Sequence, residues 1–174
     1  MNSMRSFVYT VISRGDDVII AKKFQRWNNV SNGEILHYSG QYVFPGGGLN
    51  FNENPIDGAK RELSEETGIS FNDEVISNYE LEISDAIDFI PTLDRDFGCY
   101  ALYVTCHKLE DLANKINENL SDSSRKDKID GELEKVEIMK KANAHESFRN
   151  ICAVDQDCEN SASQPRDWFI RMLQ

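Results

Sequence analysis

This sequence predicts an α/β domain built on a mixed sheet with helices on both faces, and three observations carry that reading. Short runs in which aromatic and β-branched residues alternate with polar ones recur along the chain, the two-residue period of half-buried strands. Other segments return an apolar residue every three or four positions, the period of an amphipathic helix. The two kinds are interspersed rather than gathered into separate halves, as in layered folds where helices cover strands. At 174 residues, 40% hydrophobic and 28% charged, the chain suits a single core, so residues 1–174 are read as one domain.

Ser6 to Ser13 alternates, Arg14-Gly15-Asp16-Asp17 makes a turn and Val18 to Ala21 resumes an apolar run, which together predict a hairpin. Phe24 to Gly40 is polar and reads as a loop, with a short strand around Ile35 to Tyr38; Gln41 to Phe44 is the strand that leads into Pro45-Gly46-Gly47-Gly48. Trp27, Tyr42 and Phe44 lie near that loop in sequence, and packing is the role assigned to each. Glu74 to Ser84 reads as a strand, Asp85 to Asp96 as an acidic loop, Phe97 to His107 as a strand and Leu109 to Leu120 as a helix. Ser121 to Gly131 shows no apolar anchor and is expected to be mobile. Glu134 to Met139 is a late strand, followed by helical segments at Glu146 to Val154 and Gln164 to Leu173, the last with Trp168, Phe169 and Met172 turned inward.

The most informative stretch runs from Gly46 to Ile69, GGGLNFNENPIDGAKRELSEETGI. Asn54 and Pro55 supply an N-cap and a first-turn proline, Asp57 adds an acid to the first turn, and Gly68 supplies a left-handed stop that lets Ile69 fold back towards Leu63. These signals frame a helix from about Pro55 to Thr67. Ile56, Ala59 and Leu63 make its apolar stripe, and Glu62, Glu65 and Glu66, at i, i+3 and i+4, crowd three carboxylates onto a neighbouring face. Such a cluster is kept by solvation, by protons or by a held cation. Hard oxygen ligands suit Mg²⁺ or Mn²⁺, and with them phosphate chemistry. Arg61, four residues before Glu65, can orient that carboxylate, and the glycines let backbone approach a metal or phosphate.

The segment resembles a Nudix box. Gly47, Glu53, Arg61, Glu62, Leu63, Glu65, Glu66, Gly68 and Ile69 occupy every specified position of that family's pattern, over a small part of the chain. The resemblance implies a three-layer α/β/α sandwich. It implies hydrolysis of a nucleoside diphosphate linked to another group, such as a nucleotide sugar, another diphosphate conjugate or a nucleoside triphosphate, with water attacking phosphorus. It implies Mg²⁺, or Mn²⁺ in its place, held by Glu62 and Glu66, with Glu65 and the carbonyl of Gly47 as further ligands. Glu65 is the favoured base, Arg61 orients the cluster and Glu53 braces the loop. From outside the box, Glu132 is the candidate additional acid. A nucleotide sensor on the same scaffold, without turnover, is the alternative reading.

The net charge of −11 argues against a nucleic acid polymer as partner, because phosphate backbones are gripped by clustered Lys and Arg; Lys22-Lys23 with Arg26 and the 125–128 run are too small to reverse it. A small nucleotide carrying a divalent ion is compatible with it. The first residues show neither a signal peptide nor a membrane span, so a cytoplasmic protein with reduced thiols at Cys99, Cys106, Cys152 and Cys158 is expected. His37, His107 and His145 have no metal-ligand spacing and are read as structural or surface residues. Dimers are common among similar proteins, and a homodimer is left open.

Overall fold

The alternating run at the start of the chain forms β1 (Phe7–Arg14), which turns back through Gly15 (φ +59°) into β2 (Asp17–Lys23). The structure is a computed structural model that describes residues 6–25, 38–91, 98–125, 129–149 and 164–173, with the backbone alone at 164–167. The hairpin is paired only at its tip, Ser13 to Val18 and Arg14 to Asp17. Beyond that the strands splay, and two short strands fill the gap: β3 (Tyr42–Val43) pairs with β2, and β4 (Gly46–Gly48) pairs with β1. The Thr10 amide donates to the Pro45 carbonyl at 2.9 Å, which holds the connection between them in the fork. The glycine-rich stretch is therefore strand as well as loop. Gly46 (φ +158°) admits no side chain, since a Cβ would fall 2.1 Å from the Val8 carbonyl oxygen.

The outer strands complete the seven-stranded sheet. β6 (Gly98–Cys106) runs parallel to β1 from Phe7 opposite Cys99 to Ser13 opposite Thr105. β5 (Leu81–Pro91) lies antiparallel on β6, and β7 (Leu133–Lys140) antiparallel on β2. One parallel pair among antiparallel ones makes the sheet mixed.

Helices cover both faces. On one side α1 (Pro55–Thr67) and α3 (Leu109–Ser121) pack on each other, α1 against β1 and β6 and α3 against β7. On the other, α4 (Lys141–Arg149) and α5 (Gln164–Met172) enclose an aromatic cluster. Tyr9 meets Phe169 edge-on at 4.8 Å, and Phe44 lies 5.0 Å from Phe148 and 5.4 Å from Phe169. Successive strand residues face opposite ways, so Tyr9 points to this cluster while Val8 and Ile12, both fully buried, point to the other side. Trp168, Phe169 and Met172 are buried as their spacing predicts, and Phe44 is core. The result is a three-layer α/β/α sandwich.

Four sequence expectations are corrected. Glu74 to Tyr79 is helical: α2 (Asp73–Tyr79) is capped by Asn72, whose side chain accepts from the Val75 amide at 2.9 Å, with Asp73 and Glu74 at the positive end of the dipole. The cap outweighs the β-branched residues Val75 and Ile76. The stretch from Asp85 to Pro91 is strand: β5 absorbs a register shift between Ile83 and Ile87, where Ser84 Oγ donates to the Ala86 carbonyl, and then pairs on to Pro91. Its acids Asp85 and Asp88 are exposed while Ile90 is buried. α4 begins at Lys141, directly after β7, rather than at Glu146. The polar 121–131 segment does have an apolar anchor in Ile129, 7% exposed, and forms a short 3₁₀ turn at Ser123–Arg125, while its residues 126–128 lie outside the described residues. Trp27, His37, Cys152, Cys158 and most of the Ile35 to Tyr38 strand lie outside the described residues.

Candidate active site

Helix α1 presents the acids because both its ends are fixed. Asn54 Oδ1 accepts from the Ile56 amide at 2.9 Å, Pro55 opens the first turn, and Gly68 (φ +76°) ends the helix by donating to the Ser64 carbonyl at 2.9 Å. The Ile69 amide turns to Thr67 Oγ1 at 3.3 Å, and Ile69 and Leu63 are both buried. Ala59 and Leu63, each 1% exposed, seat the helix on the sheet. That orientation sends Glu62 and Glu66 to its buried margin and leaves the Glu65 side chain 48% exposed.

Arg61 organises the loop and the helix together. Its guanidinium grips Glu53 in a fork, Nε to Oε2 at 2.8 Å and Nη2 to Oε1 at 3.0 Å, and donates to Glu62 at 3.0 Å, to Glu65 at 3.1 Å and to the Gly48 carbonyl at 3.0 Å. Glu53 also accepts from the Asn50 amide at 3.1 Å. The Arg61 guanidinium holds the Glu53 carboxyl below the usual carboxylate range, and Glu53 raises the pKa of Arg61 in return. Charge-assisted, partly buried bonds of this kind fix geometry as well as energy. Gly47 lies directly against Glu62: a Cβ there would come 2.8 Å from Glu62 Oε2.

The deepest acid is Glu66, 1% exposed, which accepts a long hydrogen bond from the Gly46 amide at 3.2 Å. Beside it the structure places Asp130 and Glu132, from the turn that enters β7, and one carboxylate oxygen from each of the three lies within 4.8 Å of the others. Gly131 (φ +79°) makes the turn, the Glu132 amide donates to Asp130 Oδ1 at 3.0 Å, and the Asp130 amide donates to the Glu65 carbonyl at 2.8 Å. The last bond ties this turn directly to α1. Burial first, then the neighbouring Glu132 and Asp130 charges, pushes the Glu66 carboxyl well above its ordinary range. Asp130 is pushed up to about 7 by burial and by Glu132. Burial also raises Glu62, against the pull of Arg61.

An all-oxygen set of converging carboxylates, of which Glu66 and Asp130 resist ionisation when bare, fits a hard divalent cation, which would offset their repulsion. Glu66, Asp130 and Glu132 are the residues that could hold it. Glu62 and Glu65 are drawn to Arg61, yet both are near enough to raise Asp130 through their charge. Sequence reasoning passed over Asp130. The signal was the Asp130-Gly131-Glu132 run, in which only the last residue was singled out. Among the histidines, His107 is exposed and meets Glu82 at 2.9 Å, and His145 is exposed on α4.

The sequence profile of the NUDIX domain matches residues 4–147. No curated protein sequence matches the chain. Among solved structures, a NUDIX hydrolase from Nitrosomonas europaea is 16% identical with a TM-score of 0.48, covering 83% of this chain and 78% of its own. A MutT protein from Methanosarcina mazei Go1 is 14% identical with a TM-score of 0.46, over 96% and 91%. A C. elegans Ap4A hydrolase, solved as a binary complex, is 12% identical with a TM-score of 0.46, over 83% and 85%. The family assignment rests on the profile, which spans most of the chain and includes the loop, helix α1 and the turn before β7: the protein belongs to the NUDIX family and is an enzyme of pyrophosphohydrolase type.

Proposed function

We propose that the chain hydrolyses the phosphoanhydride of a nucleoside diphosphate linked to a second group, a nucleotide sugar, another diphosphate conjugate or a nucleoside triphosphate, with Mg²⁺ as the cofactor and Mn²⁺ able to replace it. The observation that carries this reading is the convergence of Glu66 with Asp130 and Glu132 beside a loop and helix locked by Arg61. An ion held there would offset charge on the diphosphate and lower the pKa of attacking water. Glu66, Asp130 and Glu132 would hold it, with Glu62 beside them at the buried margin of α1. Glu65, the most open of the three clustered glutamates, would take the proton of water, with Arg61 holding it in one orientation. Glu53 braces the loop through Arg61, and the Gly47 backbone lies against Glu62.

The acidic surface favours a small nucleotide over a polymer as partner. A cytoplasmic setting suits the free thiols of Cys99 and Cys106, both buried in β6. Among the described residues no helix is long and apolar enough to cross a membrane. The test is a release assay over nucleoside triphosphates, nucleotide sugars, ADP-ribose and dinucleoside polyphosphates with Mg²⁺, with Mn²⁺ and with chelator, beside Glu66→Gln. Metal-dependent release that is lost in the variant supports the reading. Saturable nucleotide binding with no release from any compound would replace it with a sensor.

A further inference from the structure

Besides Arg61, a second cation faces the acids, and the chemistry above does not use it. Lys23 is the last residue of β2; its side chain is 16% exposed and its Nζ lies 4.0 Å from Glu132 Oε2, itself 21% exposed. Its placement follows from a break in strand register. Lys22 pairs with Lys135 but Lys23 pairs with Leu133, so β7 carries Glu134 as an extra residue at this point. A bulge of this kind bends the strand and re-aims side chains. Here Lys22 is sent to Glu134, at 3.9 Å, and Lys23 to Glu132. The Phe24 amide then donates to the Glu132 carbonyl at 3.0 Å, which fixes the backbone of the two partners against each other. Glu132 is one of the three carboxylates whose oxygens converge within 4.8 Å.

The ammonium and a divalent ion therefore address the same carboxylate. An exposed ion pair would contribute little, about 0–1 kcal/mol, but this one is largely shielded from water, where a unit charge a few ångströms away acts more strongly. Bare, the cluster is anionic and gains from the ammonium. Loaded, it holds a cation that the ammonium repels.

We propose that Lys23 is a resident counter-cation of the acid cluster, which holds Glu132 in the metal-free chain and competes with the divalent ion for it, so that Lys23 sets the affinity of the site for metal. This rests on the metal reading of the cluster. It makes Lys23 a positioning residue that acts through Glu132, and it predicts effects of opposite sign on the two states of the site.

The test is calorimetric titration of the full chain with Mn²⁺ alone, without substrate, alongside metal-free thermal unfolding, for wild type, Lys23→Met, Lys23→Arg and the pair Lys23→Met/Glu132→Gln. Lys23→Met should bind Mn²⁺ about tenfold more tightly, equivalent to about 1.4 kcal/mol, while its metal-free form melts no higher than wild type. Lys23→Arg, which keeps the charge, should stay near wild type. In the Glu132→Gln background the gain from Lys23→Met should shrink, because its partner is gone. Equal or weaker binding by Lys23→Met, or an undiminished gain in the double variant, would overturn the inference. Wild type that binds no Mn²⁺ at millimolar concentration would instead overturn the metal reading itself, and the inference with it.

Discussion

Replacing Glu66 with glutamine separates what the site needs for stability from what it needs for chemistry. The carboxylate is 1% exposed, beside Asp130 and Glu132, and accepts from the Gly46 amide at 3.2 Å. Burying an ion costs several kcal/mol even after relaxation. Glutamine keeps the shape and can still accept from Gly46. With no metal and above neutral pH, the variant should gain roughly 2 kcal/mol, or about 4–8 °C in melting temperature for a chain of this length. The sign follows from the direction of the shift. A carboxyl whose folded pKa is raised costs nothing while both states hold the proton, so its full contribution stands below the unfolded pKa near 4. That contribution is lost as pH rises towards the folded pKa, and Asp130, at about 7, acts the same way. Wild type should therefore lose stability from about pH 4 upwards without metal, and the difference from Glu66→Gln should vanish near pH 4. Added Mg²⁺ or Mn²⁺ should stabilise wild type strongly and the variant weakly, and turnover in the variant should fall to near background. Differential scanning fluorimetry at low and high pH, with and without metal, reads all of this. A variant that melts below wild type in chelator at high pH would refute the electrostatic reasoning, and unchanged turnover would refute the assignment of Glu66.

Arg61→Ala removes five hydrogen bonds and leaves Glu53 and Glu62 without their cation, so roughly 2–4 kcal/mol of stability should be lost in urea unfolding. Arg61→Lys should recover less than half, because an ammonium cannot reproduce the fork on Glu53. Leu63→Ala opens a cavity under α1 and should cost about 2–5 kcal/mol, with the slope of the urea transition unchanged. Gly47→Ala places a methyl 2.8 Å from the Glu62 carboxylate; turnover should fall more than stability, and a variant as active as wild type would show that Glu62 need not sit where it does.

Local signals made helix α1 legible with its boundaries. Asn54, Pro55 and Gly68 act on neighbouring backbone, and the alternation of β1 and the apolar run of β2 are likewise properties of one short stretch. The same locality misled at Glu74 to Tyr79, where β-branched Val75 and Ile76 looked extended and the Asn72 cap was not weighed. It misled again after Asp85, where the acids and Pro91 suggested a loop. Pairing with β6 gives that backbone a partner ladder, and partner strands distant in sequence are not visible in a local pattern.

The sequence by itself determined the family, the framed helix with its three glutamates, and the mixed α/β class, because each rests on contacts within a few residues or on the period of one element. Only the tertiary structure decided how the acids are shared out. Seating Ala59 and Leu63 on the sheet turns Glu66 inward and Glu65 outward. Arg61 then draws Glu62 and Glu65 towards Glu53, while the pairing of β7 with β2 and the bond from the Asp130 amide to the Glu65 carbonyl bring Asp130 and Glu132 across to Glu66. Carboxylates more than sixty positions apart in the chain become neighbours only once the sheet and helix have packed, and the burial of Glu66 and Asp130, which no residue pattern contains, is what makes their cluster suit a cation.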